Sequence, residues 1–262
     1  MVQHILVAHD LSPDADVALH RAAALAQQTG AQLSLLHVMD EASTSQELQA
    51  REALQARIQA LDIAVEPWIR KGDVVEELVT QATGLEADLV VVGRHHRLQP
   101  QGFAGTTLER ILLACPVPLL FAVSPSASYS RALAALDYSS CASRALQTAW
   151  QLLPVSAELT ALNIHEVAEV HGPDDADLAL QQELFDQLVS DLRSNLADNG
   201  ARLNQSLRQG ERNNCMEAAT AELQPQLLAL GGHSRGEMSI ALLGSLTRQY
   251  LDQPPCDVLI AH

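Results

Sequence analysis

The chain restarts its own pattern halfway along. A short apolar run, 2–8, closes on Ala8-His9-Asp10-Leu11-Ser12 ahead of a helical stretch, and 132–136 closes on Ala135-Leu136-Asp137-Tyr138-Ser139 ahead of another. Asp137 follows Asp10 by 127 positions, while Gly244-Ser245 follows Gly105-Thr106 by 139, and Ala261 follows Ala122 by 139. A period this long marks duplicated domains, since solenoid repeats run to about 20–50 residues. The growth of the offset places the extra residues of the second half in its middle, around 165–177 and the helix after it. The 262 residues therefore divide into expected domains at 1–125 and 131–262. They meet at 124–130, Ser-Pro-Ser-Ala-Ser-Tyr-Ser, where small polar residues and proline offer no core face.

Within each half, apolar runs alternate with helical periodicity. In the first, strands are expected at 2–8, 32–38, 64–70, 88–92 and 117–123, with helices over 13–28, 46–61, 73–83 and 106–113 between them. Gly30 stops the first helix and Asp73 is an N-cap candidate. In the second, strands at 132–136, 158–164, 202–208, 227–230 and 257–261 alternate with helices at 141–153, 178–197, 217–223 and 242–251. Strands apolar on both faces that alternate with helices imply a mostly parallel sheet covered on both sides. The expected fold is α/β, two tandem Rossmann-like domains, each a five-stranded sheet flanked by helices. Leu180, Leu184, Leu188, Leu192 and Leu196 form an apolar stripe on the long helix, which is read as core packing.

Charge and cysteine usage narrow the function. Lys plus Arg number 16 against 32 Asp plus Glu, for a formal charge of −16. Phosphate backbones are held by cationic side chains that release counterions, so nucleic-acid binding is not expected. The start, Met1 to Asp10, lacks a basic n-region and a small-residue cleavage site. The longest apolar stretch, 111–123, is interrupted by Pro116 and Pro118 and falls short of the roughly 20 residues of a membrane span. Cys115, Cys141, Cys215 and Cys256 are far apart and lack metal-ligand spacing, so they read as small reduced residues. The reading is a soluble, cytoplasmic protein.

Each half also carries a glycine-bearing loop between an apolar strand and a helix. The second half reads Gly231-Gly232-His233-Ser234-Arg235-Gly236 and then Gly244-Ser245; the first reads Gly93-Arg94-His95-His96 and then Gly105-Thr106. Glycine lets a backbone approach phosphate without a Cβ clash, and amides at a helix N-terminus with a hydroxyl complete an anion cradle. On these residues the chain resembles the universal stress protein family, whose ATP-binding members carry Gly, two residues, Gly, nine residues, then Gly followed by Ser or Thr. Gly231, Gly244 and Ser245 fit that spacing, with Ser234 at the middle glycine and Gly236 nearby. In the first half His96 occupies that position and only eight residues, 97–104, separate it from Gly105.

The resemblance implies an adenine-nucleotide-binding stress-response protein rather than an enzyme, with ATP or a related adenine nucleotide as ligand, with or without Mg2+. It assigns ribose and adenine to Asp137 with Ile164, and to Asp10 with Val38. Phosphates fall to Gly231, His233, Ser234, Arg235, Gly244 and Ser245 in the better-matched second half, and to Gly93, Arg94, Gly105 and Thr106 in a weaker first-half site. Family dimers join through their last strands, which implies that 117–123 and 257–261 pair within one chain, leaving room for a further homodimer. Two alternatives stay open: a nucleotide-free interaction module with degenerate clefts, and a slow ATP hydrolase. Arg94, Arg97 and Arg235 are placed to offset phosphate charge. His95 and His96 are adjacent, so their side chains diverge, and no HExxH accompanies them; no metal site is expected. His9 and His37 stand at strand ends where they can meet in space.

Overall fold

The computed structural model describes residues 1–39, 44–94, 107–124, 128–166, 175–232 and 245–262. These fall into two compact units, one running to Ser128 and the other beginning at Tyr129. In the first unit the order is β1 (His4–Ala8), α1 (Pro13–Thr29), β2 (Gln32–Met39), α2 (Thr44–Ala60), β3 (Pro67–Lys71), α3 (Val74–Gly84), β4 (Leu89–Gly93), α4 (Thr107–Ala114) and β5 (Leu119–Ala122). The strands lie in the order β3-β2-β1-β4-β5, and each described pairing is parallel. Central strands are the apolar ones: β4, Leu-Val-Val-Val-Gly, is buried up to its last residue, whereas the edge strand β3, Pro-Trp-Ile-Arg-Lys, is half exposed.

The second unit repeats the scheme with β6 (Arg131–Leu136), α5 (Ser140–Gln151), β7 (Glu158–His165), α6 (Asp175–Asn195), β8 (Arg202–Gln209), α7 (Arg212–Leu223), β9 (Leu227–Gly231), α8 (Ser245–Asp252) and β10 (Asp257–Ala261). Its sheet order is β10-β9-β6-β7-β8, again parallel in every described pairing. Both units thus wind outward from a central strand in two directions. The switch of direction, between β1 and β4 and between β6 and β9, opens a crevice at the carboxyl ends of those strands.

Local chemistry fixes the ends of the elements in matching ways. Ser12 and Ser139 cap α1 and α5, accepting the amides of Ala15 and Ala142 at 3.1 Å, and Pro13 fills the first position of α1. Gly72 and Gly210 both adopt φ 143°, open only to glycine, just ahead of the caps Asp73 and Glu211. Strand register places the additional residues: Val38 pairs with Arg70 in the first unit and Ile164 with Arg208 in the second. The offset between units is 126 residues at the first partners and 138 at the second, so the growth lies between β7 and β8, where the sequence places it.

Three expectations shift. Helix α7 begins at Arg212, five residues before the expected start, because the Glu211 carboxylate accepts the Asn213 and Asn214 amides and so caps a turn whose two asparagines are poor helix formers. Strand β3 begins at Pro67 instead of 64. The leucine stripe of α6 is not, as a whole, its core face: Leu180 and Leu184 are 52% and 48% exposed, and of the stripe Leu192 is buried, together with Phe185 and Val189. A four-residue step overshoots one turn by about 40°, so leucines at that spacing wind off any single face, whereas positions i, i+4 and i+7 stay on it. Among the described residues no helix is long and apolar enough to cross a membrane.

Candidate functional site

At the first unit's switch point β1 ends in Ala8, and the chain turns sharply to enter α1. Leu11 takes φ 68°, a left-handed conformation that costs a leucine roughly 1 kcal/mol or more and persists only where neighbours enforce it. Four bonds do so. The Leu11 amide donates to His9 Nδ1 at 2.9 Å, and the Ser12 amide to Asp10 Oδ1 at 3.0 Å. Arg57 of α2 donates from Nη2 to the Leu11 carbonyl at 3.2 Å, and the Asp16 amide donates to the Ser12 carbonyl at 3.2 Å.

Behind the turn lies a buried polar cluster. His9 and His37 are both buried, and His37 Nδ1 donates to the His9 carbonyl at 2.6 Å, so the two histidines do meet, ring to backbone. Because His9 Nδ1 accepts the Leu11 amide, the proton of its neutral ring sits on Nε2, 3.0 Å from Asp16 Oδ1. Asp16 also takes Arg57 Nε at 2.5 Å. Burial holds the His9 pKa below its ordinary 6.5; Asp16 and Asp10 pull it up, and Arg57 pushes it down again.

In front of the turn is a cavity with an apolar wall of Ala8, Leu36, Val38, Val74, Leu78 and Val92 and a polar mouth of Asp10, Ser12 and Arg94, lined also by the buried His9. Thr107, Leu108 and Ile111 at the start of α4 close one side. The structure thus brings Asp10, Val38, Gly93 and Arg94 to one cavity, while Gly105 and Thr106 lie outside the described residues, as do His95, His96 and Arg97. Concave, mostly apolar and edged by a few polar groups, this is the usual form of a small-molecule site.

The second unit repeats the turn. Tyr138 takes φ 63°, and Asp137 Oδ1 accepts both the Ser139 amide at 3.1 Å and the Ser139 hydroxyl at 2.5 Å. Leu136 stands where the first unit has His9, Asn163 where it has His37, and Ser143 where it has Asp16. Asn163 Nδ2 donates to the Leu136 carbonyl at 2.7 Å, so the carbonyl before the aspartate is held from the next strand in both units. Ile164 is the penultimate residue of β7, paired with Arg208, and Gly231 ends β9. His233, Ser234, Arg235, Gly236 and Gly244 lie outside the described residues, and Ser245 is the first residue of α8.

The first glycine of each loop is required by helix packing, independently of any approach of phosphate. A Cβ at Gly93 would run into the Asp14 carbonyl group, its carbon only 2.6 Å away, and one at Gly231 would lie 2.7 Å from the Ala142 amide nitrogen. These glycines let the first turn of α1 or α5 seat against the sheet, and so bring a helix N-terminus to the crevice. A Cβ at Gly232 would meet the His262 ring at 2.5 Å; the first unit has Val123 in place of that histidine and accommodates Arg94 in place of Gly232. Sequence reading missed Asp16 and Arg57. Asp16 had a signal, lying one helical turn inside the Ser12 cap and seven residues after His9, whereas Arg57 is brought in by the α2 crossover and had none.

Comparison with known proteins agrees with the doubled architecture. The universal stress protein family model matches residues 1–122 and again 128–262. A universal stress protein from Archaeoglobus fulgidus superimposes with a TM-score of 0.74 at 18% identity, covering 98% of this chain and 97% of that one. A functionally unknown protein from Pseudomonas aeruginosa PAO1 gives 0.69 at 19% identity, covering 99% and 92%. At these identities the likeness is one of fold. No curated protein matches the chain.

Proposed function

Because the chain belongs to the universal stress protein family in both of its halves, we propose that it is a nucleotide-responsive stress protein that binds ATP or a related adenine nucleotide at its strand tips and acts by binding rather than by turnover. The observation that carries this reading is the first-unit cavity, in which an apolar wall meets the fixed carboxylate of Asp10 at a doubly wound switch point. Val38 and Val92 suit the face of a purine ring, and Asp10 suits ribose hydroxyls, as a carboxylate accepts two hydrogen bonds from a diol. Arg94 at the mouth suits phosphate in a protein otherwise rich in negative charge.

The second unit repeats the Asp-Ser turn, and its Gly231, Gly244 and Ser245 keep the spacing that the first unit lacks. It is proposed as the tighter of two sites, with phosphates received by the segment from His233 to Ser245. Occupancy would bias the conformations of each unit through the helix N-termini that converge on the ligand. Mass spectrometry of small molecules released from freshly purified protein tests this directly. An adenine nucleotide near or above one per chain is expected. A ligand-free protein whose melting temperature ignores millimolar ATP overturns the reading and leaves an interaction module with degenerate clefts.

A further inference from the structure

The two units build the same left-handed turn with different supports, and one of the exchanged residues contacts the left-handed residue itself. In the first, the Leu11 amide is held by an imidazole nitrogen; in the second, Leu136 fills that place, and its side chain accepts no hydrogen bond. We propose that His9 is the positioning residue of the first-unit cleft: its neutral ring fixes the Asp10–Ser12 turn through the Leu11 amide and makes nucleotide binding in that unit, and not in the second, depend on an unprotonated histidine. The inference rests on the binding reading above and adds to it the device that sets one site apart.

The geometry allows the ring one neutral form. Nδ1 is the acceptor for Leu11 and Nε2–H faces Asp16, which Arg57 holds in turn. A second proton would sit on Nδ1 and point at the Leu11 N–H, two donors 2.9 Å apart, so protonation removes the one of the four supporting bonds that is made by the Leu11 amide. That turn carries Asp10 at the mouth of the cavity, and His9 itself lines it. Groups from every neighbouring element bear on the ring: Asp10 beside it in sequence, Asp16 on α1, Arg57 on α2, His37 of β2 through the His9 carbonyl, and Arg94 after β4 on the wall of the same cavity. Burial outweighs the carboxylates, so the protonation midpoint lies below 6.5 and the neutral form prevails at neutral pH.

Asparagine separates the two roles of the ring. Its Oδ1 can accept the amide two residues on, as in an Asx turn, and it does not titrate. The experiment uses the full chain with Asp137→Ala to weaken the second-unit site, alone and combined with His9→Asn or His9→Leu. ATP affinity and the protection factor of the Leu11 amide against hydrogen exchange are measured at pH 8 and pH 5. With His9 present, affinity falls on the order of fivefold more on acidification than with His9→Asn, the equivalent of one ordinary hydrogen bond, and Leu11 protection falls with it. His9→Asn keeps protection at both pH values, and His9→Leu lowers affinity and protection at both.

Leu11 protection that ignores pH, or that is the same in His9→Leu as in the parent, overturns the inference whether or not ATP binds. An equal pH response of affinity in the parent and in His9→Asn overturns it as well. Failure of the unmutated protein to bind ATP at pH 8 defeats the functional reading and the affinity half of the inference, while the exchange data still decide the role of His9 in the turn.

Discussion

The two units differ most where they do the same thing. Each holds a buried carbonyl ahead of its aspartate from the neighbouring strand, with His37 Nδ1 at 2.6 Å in one and Asn163 Nδ2 at 2.7 Å in the other. Each follows it with a left-handed residue, Leu11 or Tyr138, and a serine cap. Behind these, the first unit carries the His9–Asp16–Arg57 cluster and the second only Leu136 and Ser143. The backbone turn is therefore the shared requirement, and side chains that support it can be exchanged for others of different acid–base character. On the proposal above, the unit supported by titratable groups responds to pH at its site and the unit supported by an amide does not.

Substitutions at the matched positions separate the two units. The largest effect is expected in the crossover helices, where the second unit buries a heavier face. Phe185→Ala should cost about 4 kcal/mol, since the ring is fully buried, whereas Leu184→Ala, 48% exposed, should stay within about 0.5 kcal/mol in urea unfolding. Comparable losses from both would restore the leucine stripe as the core face. Next, Gly93→Ala should cost about 3 kcal/mol and Gly231→Ala about 2, as the new methyl meets backbone in both but more closely against Asp14. If these variants lost only ligand affinity and no stability, the glycines would be serving the ligand and not the seating of the helices.

A smaller effect separates the carbonyl holders. His37→Asn gives the first unit the second unit's donor and should cost less than about 1 kcal/mol, while His37→Leu strands the His9 carbonyl and should cost about 2. The smallest is a pH dependence of stability. The folded-state pKa of His9 lies below its unfolded 6.5, so on acidification the unfolded chain takes the proton first. Stability that is present above pH 6.5 is lost as pH falls toward the folded-state pKa, and His9→Asn should abolish that part of the loss. Above pH 5 the cap carboxylates Asp73 and Glu211, both held below the usual carboxylate range by backbone amides, stay ionised and do not obscure it.

Much of the fold was legible because it depends on periodicity. Apolar strands such as Leu89–Gly93 and helix caps such as Asp73 act within a few residues of themselves, and the duplication repeats the strand–helix pattern. The site was legible only in outline. Asp10, Val38, Gly93 and Arg94 could be placed on strand tips and did converge on one cavity. The part that was not legible depends on contacts distant in sequence: Arg57 reaches Asp16 across 41 positions, and the close approach of Asp14 to Gly93 is a fact of helix seating. The resemblance assigns Gly93 and Gly231 to phosphate, and only the packing geometry reveals that helix seating by itself leaves no room for a side chain at either position.

The central claim is that each unit holds an adenine nucleotide at the tip of its first strand, beside an aspartate that the turn keeps in place. Calorimetric titration of ATP into the full chain, compared with Asp10→Ala, Asp137→Ala and both together, tests it most directly. Two saturable sites are predicted, each single variant weakening one of them by about tenfold or more, with the larger total loss for Asp137→Ala. No binding heat in the unmutated protein, or an isotherm that the double variant leaves unchanged, would contradict the account.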